Sequence, residues 1–327
     1  MSKSRQSWIK VLKFMIDKEY IDSLAILYPI SRTNVASLIG DAASEIGIKT
    51  IKLEVNPHKD FEEAPPNLTA ILDNLKTNDF LIVIRGDNFI NKMKLNDHFN
   101  TFSGLINSDA KSIVLHMLID NKNLTYLCDI NYKEIMNYTE KMKNKLNNAS
   151  KIRIKTPLGT DITFRPRKWK EMTIKPTELN KNALLPAGQI YTAPQEKNTN
   201  GTLIIDRFVS EFPIDFKNII AFPPLENEIK LTIKNGKITE VEGRKEAEFL
   251  ENECLSKVDI GGLILGEVTL GTNPKRSQEK NIGIQEILRS TVHFGFGLNT
   301  HLGGDIVSNV HWDGVIEMDH SEIEIIE

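Results

Sequence analysis

Cysteine is almost missing: the 327 residues include two, Cys128 and Cys254, far apart and with no second cysteine beside either. That argues against a disulfide framework or a thiolate zinc site, and it makes a reducing cytoplasm the expected location. No run of about 18 apolar residues occurs, so no membrane-spanning helix is expected. Charge of one sign is missing as well, since 41 Lys and Arg face 44 Asp and Glu for a formal net charge of -3. The lysines are interleaved with acids, so neither nucleic acid nor an anionic membrane is an expected partner. In the opening stretch "MSKSRQSWIKVLKFMIDKEY" the apolar residues are interrupted by Lys13, Asp17 and Lys18, which reads as an amphipathic helix and not a signal peptide.

What is present in the first half is an alternation of strand and helix signals. The apolar run "SLAILYP" (23–29) precedes "SRTNVASLIGDAASEIG", a helix that Ser31 or Thr33 can cap and Gly47 can end. "KTIKLEV" (49–55), "DFLIVIRG" (79–86) and "SIVLHML" (112–118) read as strands, with helices expected at 65–75, 94–107 and 132–147. Such a series predicts a mainly parallel sheet flanked by helices. The first strand-to-helix turn, "YPISRTN", lacks G-x-G-x-x-G, so no nucleotide site is expected there. The polar stretch "NKLNNAS" suggests a junction, giving an N-terminal α/β domain over 1–148 and a β-rich α+β domain over 149–327. Two hairpins mark the second part, one around "PLGTD" and one turned at Asn235-Gly236.

Histidine is scarce too, seven in all, yet His293, His301, His311 and His320 fall within the last 35 residues. A lone histidine is usually structural, but His311-Trp312-Asp313 sets a carboxylate two residues from an imidazole, and in a strand both point to one face. His293 follows a β-branched run, and Gly295 and Gly297 allow a close approach. If these two strands are neighbours, they supply two imidazoles and one carboxylate, the set that leaves open positions on Fe(II) or an open three-ligand zinc site. Glu267, inside the apolar run "LILGEVTLGTNP", must be paired, coordinated or turned to solvent. With the histidines downstream, coordination or support of a ligand is the expectation. His301, beside Gly303-Gly304, is a candidate acid-base group. Asp305 reads as a loop residue and His320 as a surface one. Asn198 lacks the Ser or Thr two positions on that glycosylation requires.

"GEVTLGTNP", "TVHFGFGLNTHLGG" and "HWDGVI", in that order, resemble the C-terminal signature of the thermophilic aminopeptidase family, the aminopeptidase T type of metallopeptidase. They are more similar still to its branch around 2,5-dihydroxypyridine 5,6-dioxygenase. The segment "AGQIYTAPQEKNTNGTLIID" (187–206) resembles the family's aromatic-Thr-Ala-Pro turn and Asn-Gly-Thr strand. The resemblance spans residues 185–317 and implies Glu267, His293, His311 and Asp313 as metal ligands. It also implies a homo-oligomer whose active sites face an enclosed cavity.

Two positions depart from the peptidase pattern. Gln189 stands where a first glutamate ligand is placed, and Thr300 where a tyrosine follows the first histidine. Both changes weaken a two-metal hydrolytic cluster and leave a site better suited to one ion. The expectation is a mononuclear metal enzyme, Fe(II) favoured and Zn, Mn or Co also compatible with these ligands. Three functions follow: a dioxygenase-like enzyme for a small hydroxylated (hetero)aromatic substrate, an aminopeptidase for short peptides, or a relative without catalysis that binds such ligands. Gln189 and His301 are the expected catalytic positions beside the ion.

Overall fold

The computed structural model describes residues 2–17, 19–55, 74–76, 78–84, 111–115, 121–178, 180–213, 219–279, 281–319 and 322–326. They form two compact units, Met1–Tyr132 with Thr173–Ala187, and Lys133–Met172 with Gly188–Glu327. Among the described residues no helix is long and apolar enough to cross a membrane.

The first unit holds a parallel sheet in the order Lys49–Val55, Ser23–Pro29, Asp79–Ile84, Lys111–Leu115, Asn182–Leu185. Its central strands are continuous apolar runs, and Leu24 to Tyr28 are all buried, so neither face of that strand meets water. Helix Lys3–Met15 begins at Ser2, whose hydroxyl accepts from the Arg5 amide at 3.3 Å, and it buries Trp8, Val11, Leu12 and Met15 at helical spacing. Helix Thr33–Glu45 buries Val35, Ala36, Ile39, Ala42 and Ala43. The expected cap is corrected: Arg32 holds the cap position without a side-chain bond, and the Thr33 hydroxyl donates back to the Ile30 carbonyl at 2.8 Å. The helix expected at 94–107 and residues 65–73 of its predecessor lie outside the described residues, as do His116 and His320.

The units follow the chain differently from a cut at 148/149. Asn182–Leu185 returns to pair with Lys111–Leu115, which carries its flanks into the first unit. Helix Tyr132–Asn147 places Leu146 in the second unit's core. A return of the chain to the first unit after the excursion Lys133–Met172 leaves no compositional trace.

The second unit contains two six-stranded sheets whose neighbouring strands all run antiparallel. One runs Lys237–Gly243, Ile229–Lys234, Asn200–Ile205, Asp161–Phe164, Lys151–Lys155, Glu322–Ile326, and the C-terminal strand is an edge, as its alternating sequence suggests. The other runs Phe208–Val209, His311–Glu317, Thr291–Gly297, Leu265–Gly271, Gln189–Thr192, Lys170–Glu171. Both expected hairpins are present, and Asn235 (φ 50°) with Gly236 (φ 81°) makes the left-handed pair a two-residue turn requires. Alternate residues of both sheets meet in one core, where Trp312 stacks between Phe296 at 4.5 Å and Phe212 at 4.6 Å between ring centroids. The Trp312 indole N–H donates to the Gly262 carbonyl at 2.9 Å, so the buried ring leaves no polar atom unpaired.

Candidate metal centre

The second sheet has one face on that core, and its other face gathers the polar residues. Period-two alternation puts Val268, Leu270, Phe294, Phe296, Trp312 and Ile316 on the core side. Along the opposite side, His293 and Gly295 alternate with them, as do His311 and Asp313. Glu267 reaches the same side only because the strand is bulged: Leu265 pairs with Phe296 while Glu267 pairs with Gly295, so Gly266 is an extra residue. Counting by twos from Leu265 without the bulge would turn Glu267 into the core. Asn299, fully buried, pins the bulge by donating from Nδ2 to the Gly266 carbonyl at 3.1 Å, while its Oδ1 accepts from the Ile306 amide at 2.8 Å.

Register then assembles the cluster. Glu267, Gly295 and Asp313 stand in one row across three strands, and Thr269 and His293 are paired in the next. A Cβ on Gly295 would lie 2.9 Å from Asp313 Oδ1, Glu267 Cβ and His311 Cε1, so the missing side chain is the space into which these groups converge. Glu267 Oε1 lies 3.3 Å from His293 Nε2, Glu267 Oε2 lies 3.3 Å from His311 Nε2, and Asp313 Oδ1 lies 3.4 Å from the same His311 nitrogen. Ring orientation is set from behind: His311 Nδ1–H donates to the Leu298 carbonyl at 2.9 Å, directing Nε2 to the carboxylates.

One donor atom each from Glu267, His311 and Asp313 lie within 4.8 Å of one another, a spacing that one cation can span. His293 approaches through Glu267 and stands beside this group. The donor chemistry also fits a cation. His293 Nδ1 is buried without a hydrogen-bond partner, although such atoms are normally satisfied, and buried Asp313 Oδ1 has only the ion-pair approach of His311 Nε2. Burial would lower the two imidazoles, but their bonds to the carboxylates prevail, raising His293 to about 9 and His311 well above its ordinary value. Burial would likewise raise Glu267, yet His293 and His311 hold it well below the usual carboxylate range. The pocket thus favours positive charge, which protons supply when no metal does.

The other expected residues lie around this group. His301 is exposed, its ring centroid 5.8 Å from that of His311 and nearly perpendicular to it. Partial burial and then the neighbouring His311 hold its pKa below the ordinary value. Gln189, 4% exposed, pairs with Gly271 two rows from Glu267, and its Nε2 donates to Glu286 Oε2 at 3.4 Å. Thr300 opens a short turn and is exposed, and Asp305 is a loop residue that pairs with Arg167 at 2.7 Å.

Three residues of this face escaped the sequence reading. Glu286 adds negative potential at His293. Tyr191 pairs with Thr269, and burial followed by the Glu267 charge raises its hydroxyl pKa. Thr269 donates to Glu267 Oε1 at 2.6 Å. A Thr or Tyr on a strand is ordinary, so only pairing reveals them.

The sequence profile of the family described as thermophilic metalloprotease (M29) matches residues 113–301, more than half of the chain. The chain belongs to this family. The matched stretch includes Gln189, Glu267 and His293 and ends before His311 and Asp313. No curated protein sequence matches this M29 chain. Among solved structures it is similar to 2,5-dihydroxypyridine dioxygenase from Pseudomonas putida KT2440, with a TM-score of 0.67 and 17% identity over 99% of this chain and 93% of that one. It is also similar to wild-type AmpT from Thermus thermophilus, with a TM-score of 0.66 and 16% identity over 98% of this chain and 95% of that one. At such identities the likeness is one of fold. Family and cluster together mark the M29 chain as a metal-dependent enzyme.

Proposed function

We propose that this M29-family chain is a mononuclear enzyme whose Glu267, His311 and Asp313, with His293 beside them, hold one divalent ion, Fe(II) before Zn, Mn or Co. Its reaction is dioxygenase-like, on a small hydroxylated aromatic or heteroaromatic substrate. The observation that carries the single ion is the compact Glu267–His311–Asp313 group, together with the neutral amide of Gln189 drawn to Glu286. Glu267, His311 and Asp313 would hold the ion, which as Fe(II) would supply activation of O2 toward a bound substrate. The chain's own residues do the rest. Burial and His311 hold the His301 pKa below its ordinary value, which favours a neutral ring that can accept a proton from a substrate hydroxyl and return it. Tyr191 keeps its proton and can donate a hydrogen bond from the flank of Glu267. The aromatic core closes the back of the sheet and excludes water from that side.

A second reading, an aminopeptidase for short peptides, is supported by the family description and by Glu286, a carboxylate near His293 that could take a proton from attacking water. One experiment separates the two. Protein made and loaded anaerobically is analysed for metal, then assayed for O2 consumption with hydroxylated pyridines and for hydrolysis of amino-acid arylamides. One iron per chain, lost in His311→Ala, with O2 uptake supports the first reading. Two ions per chain with arylamide hydrolysis overturns it. A homo-oligomer and a cytoplasmic location are part of the same proposal, testable by solution mass and cell fractionation.

A further inference from the structure

Thr269 lies inside a strand, where threonine is a common β-former, but its hydroxyl has a specific use. The residue is 1% exposed, and Oγ1 donates its one proton to Glu267 Oε1 at 2.6 Å, from two positions along the same strand and on the same face. His293 Nε2 approaches that same oxygen at 3.3 Å. The two carboxylate oxygens are therefore not equivalent. Oε1 is held by the protein, while Oε2 faces His311 Nε2 at 3.3 Å, in the group with Asp313.

We infer that Thr269 is a positioning residue that makes Glu267 a one-oxygen ligand, presenting Oε2 alone and keeping a coordination position open. This rests on the reading that the ion binds at Glu267, His311 and Asp313. A carboxylate that nothing anchors can turn about its terminal bond and offer both oxygens, which fills a position that substrate would need. The anchor acts on ligand geometry, as hydrogen-bonded partners of ligating carboxylates commonly do. Because Thr and Val share shape and β-branching, the Val variant removes the hydroxyl with little change in packing.

The full chain, stripped of metal and titrated with Co(II), tests this through the visible absorption spectrum and through affinity measured by competition with a chelator. Thr269→Val is expected to bind Co(II) about 10-fold to 100-fold more weakly, the range typical for loss of such partners. Its spectrum should be weaker, as a higher coordination number dictates, while Thr269→Ser keeps wild-type affinity and spectrum. Wild-type uptake with an unchanged Val variant overturns the assignment alone. Equal losses in the Val and Ser variants overturn it as well, since that pattern means packing and not the hydroxyl. A wild-type chain that takes up no Co(II) overturns the metal-site reading and this assignment with it.

Discussion

Glu267 and Asp313 face each other across Gly295, each paired directly with it from a different neighbouring strand, so no side chain separates the two carboxylates. A single methyl at that point would enter the space shared by three of the four metal-ligand candidates. Gly295→Ala is therefore expected to lower metal affinity by at least about tenfold, by displacing ligating groups. The fold should persist, since alanine is no worse than glycine in a strand. Metal content of the dialysed variant and its far-ultraviolet spectrum check both halves.

The protons that the site holds set its pH dependence. His293 rises from 6.5 to about 9 on folding, so in metal-free protein its contribution to stability is full below about 6.5 and is lost as pH rises through about 9. Glu267 runs the other way: its pKa falls from 4.5, so its contribution is present above about 4.5 and is lost in acid. Metal-free protein should thus be most stable between those limits, with a lower urea midpoint at pH 9.5 than at pH 5.5. Metal competes with the same protons, so apparent affinity should rise with pH up to about 9, with proton release measurable in weakly buffered solution. A flat affinity from pH 6 to 9 would contradict this.

Asn299 ties the bulge to the loop that leads toward His311. Asn299→Ala strands the buried Ile306 amide and Gly266 carbonyl, each a loss of about 1–3 kcal/mol when left unsatisfied. Urea unfolding should show a destabilisation of roughly 2–6 kcal/mol. Metal affinity should fall with it, because the bulge aims Glu267.

His301 is expected to act on catalysis and not on metal. His301→Gln should keep full metal content and lose about 10²-fold to 10⁴-fold in rate, the usual worth of a general acid or base. A variant with unchanged turnover on the identified substrate would remove His301 from the reaction.

Much of the architecture was legible in the chain. Unbroken apolar runs such as Leu24 to Tyr28 mark strands covered on both faces, and alternation in "KIRIK" and "IKLTIK" marks strands with one wet face. The return of Asn182–Leu185 to the first sheet was not legible, because strand pairing at long range depends on partner and register, which local pattern does not encode.

The same division holds at the site. Period-two geometry alone places His311 and Asp313 on one face, since that property belongs to any extended strand. Local sequence also marks Glu267 as a charge that needs a partner, because its apolar neighbours cannot solvate it. Which face Glu267 takes was decided by the bulge at Gly266, held by an asparagine 33 residues away. The meeting of Thr269 and His293, and of Glu267 with Asp313 across Gly295, was decided by register alone. A shift of one residue in either pairing would reverse those faces, and the free energy that prevents it lies in the packed core behind the sheet.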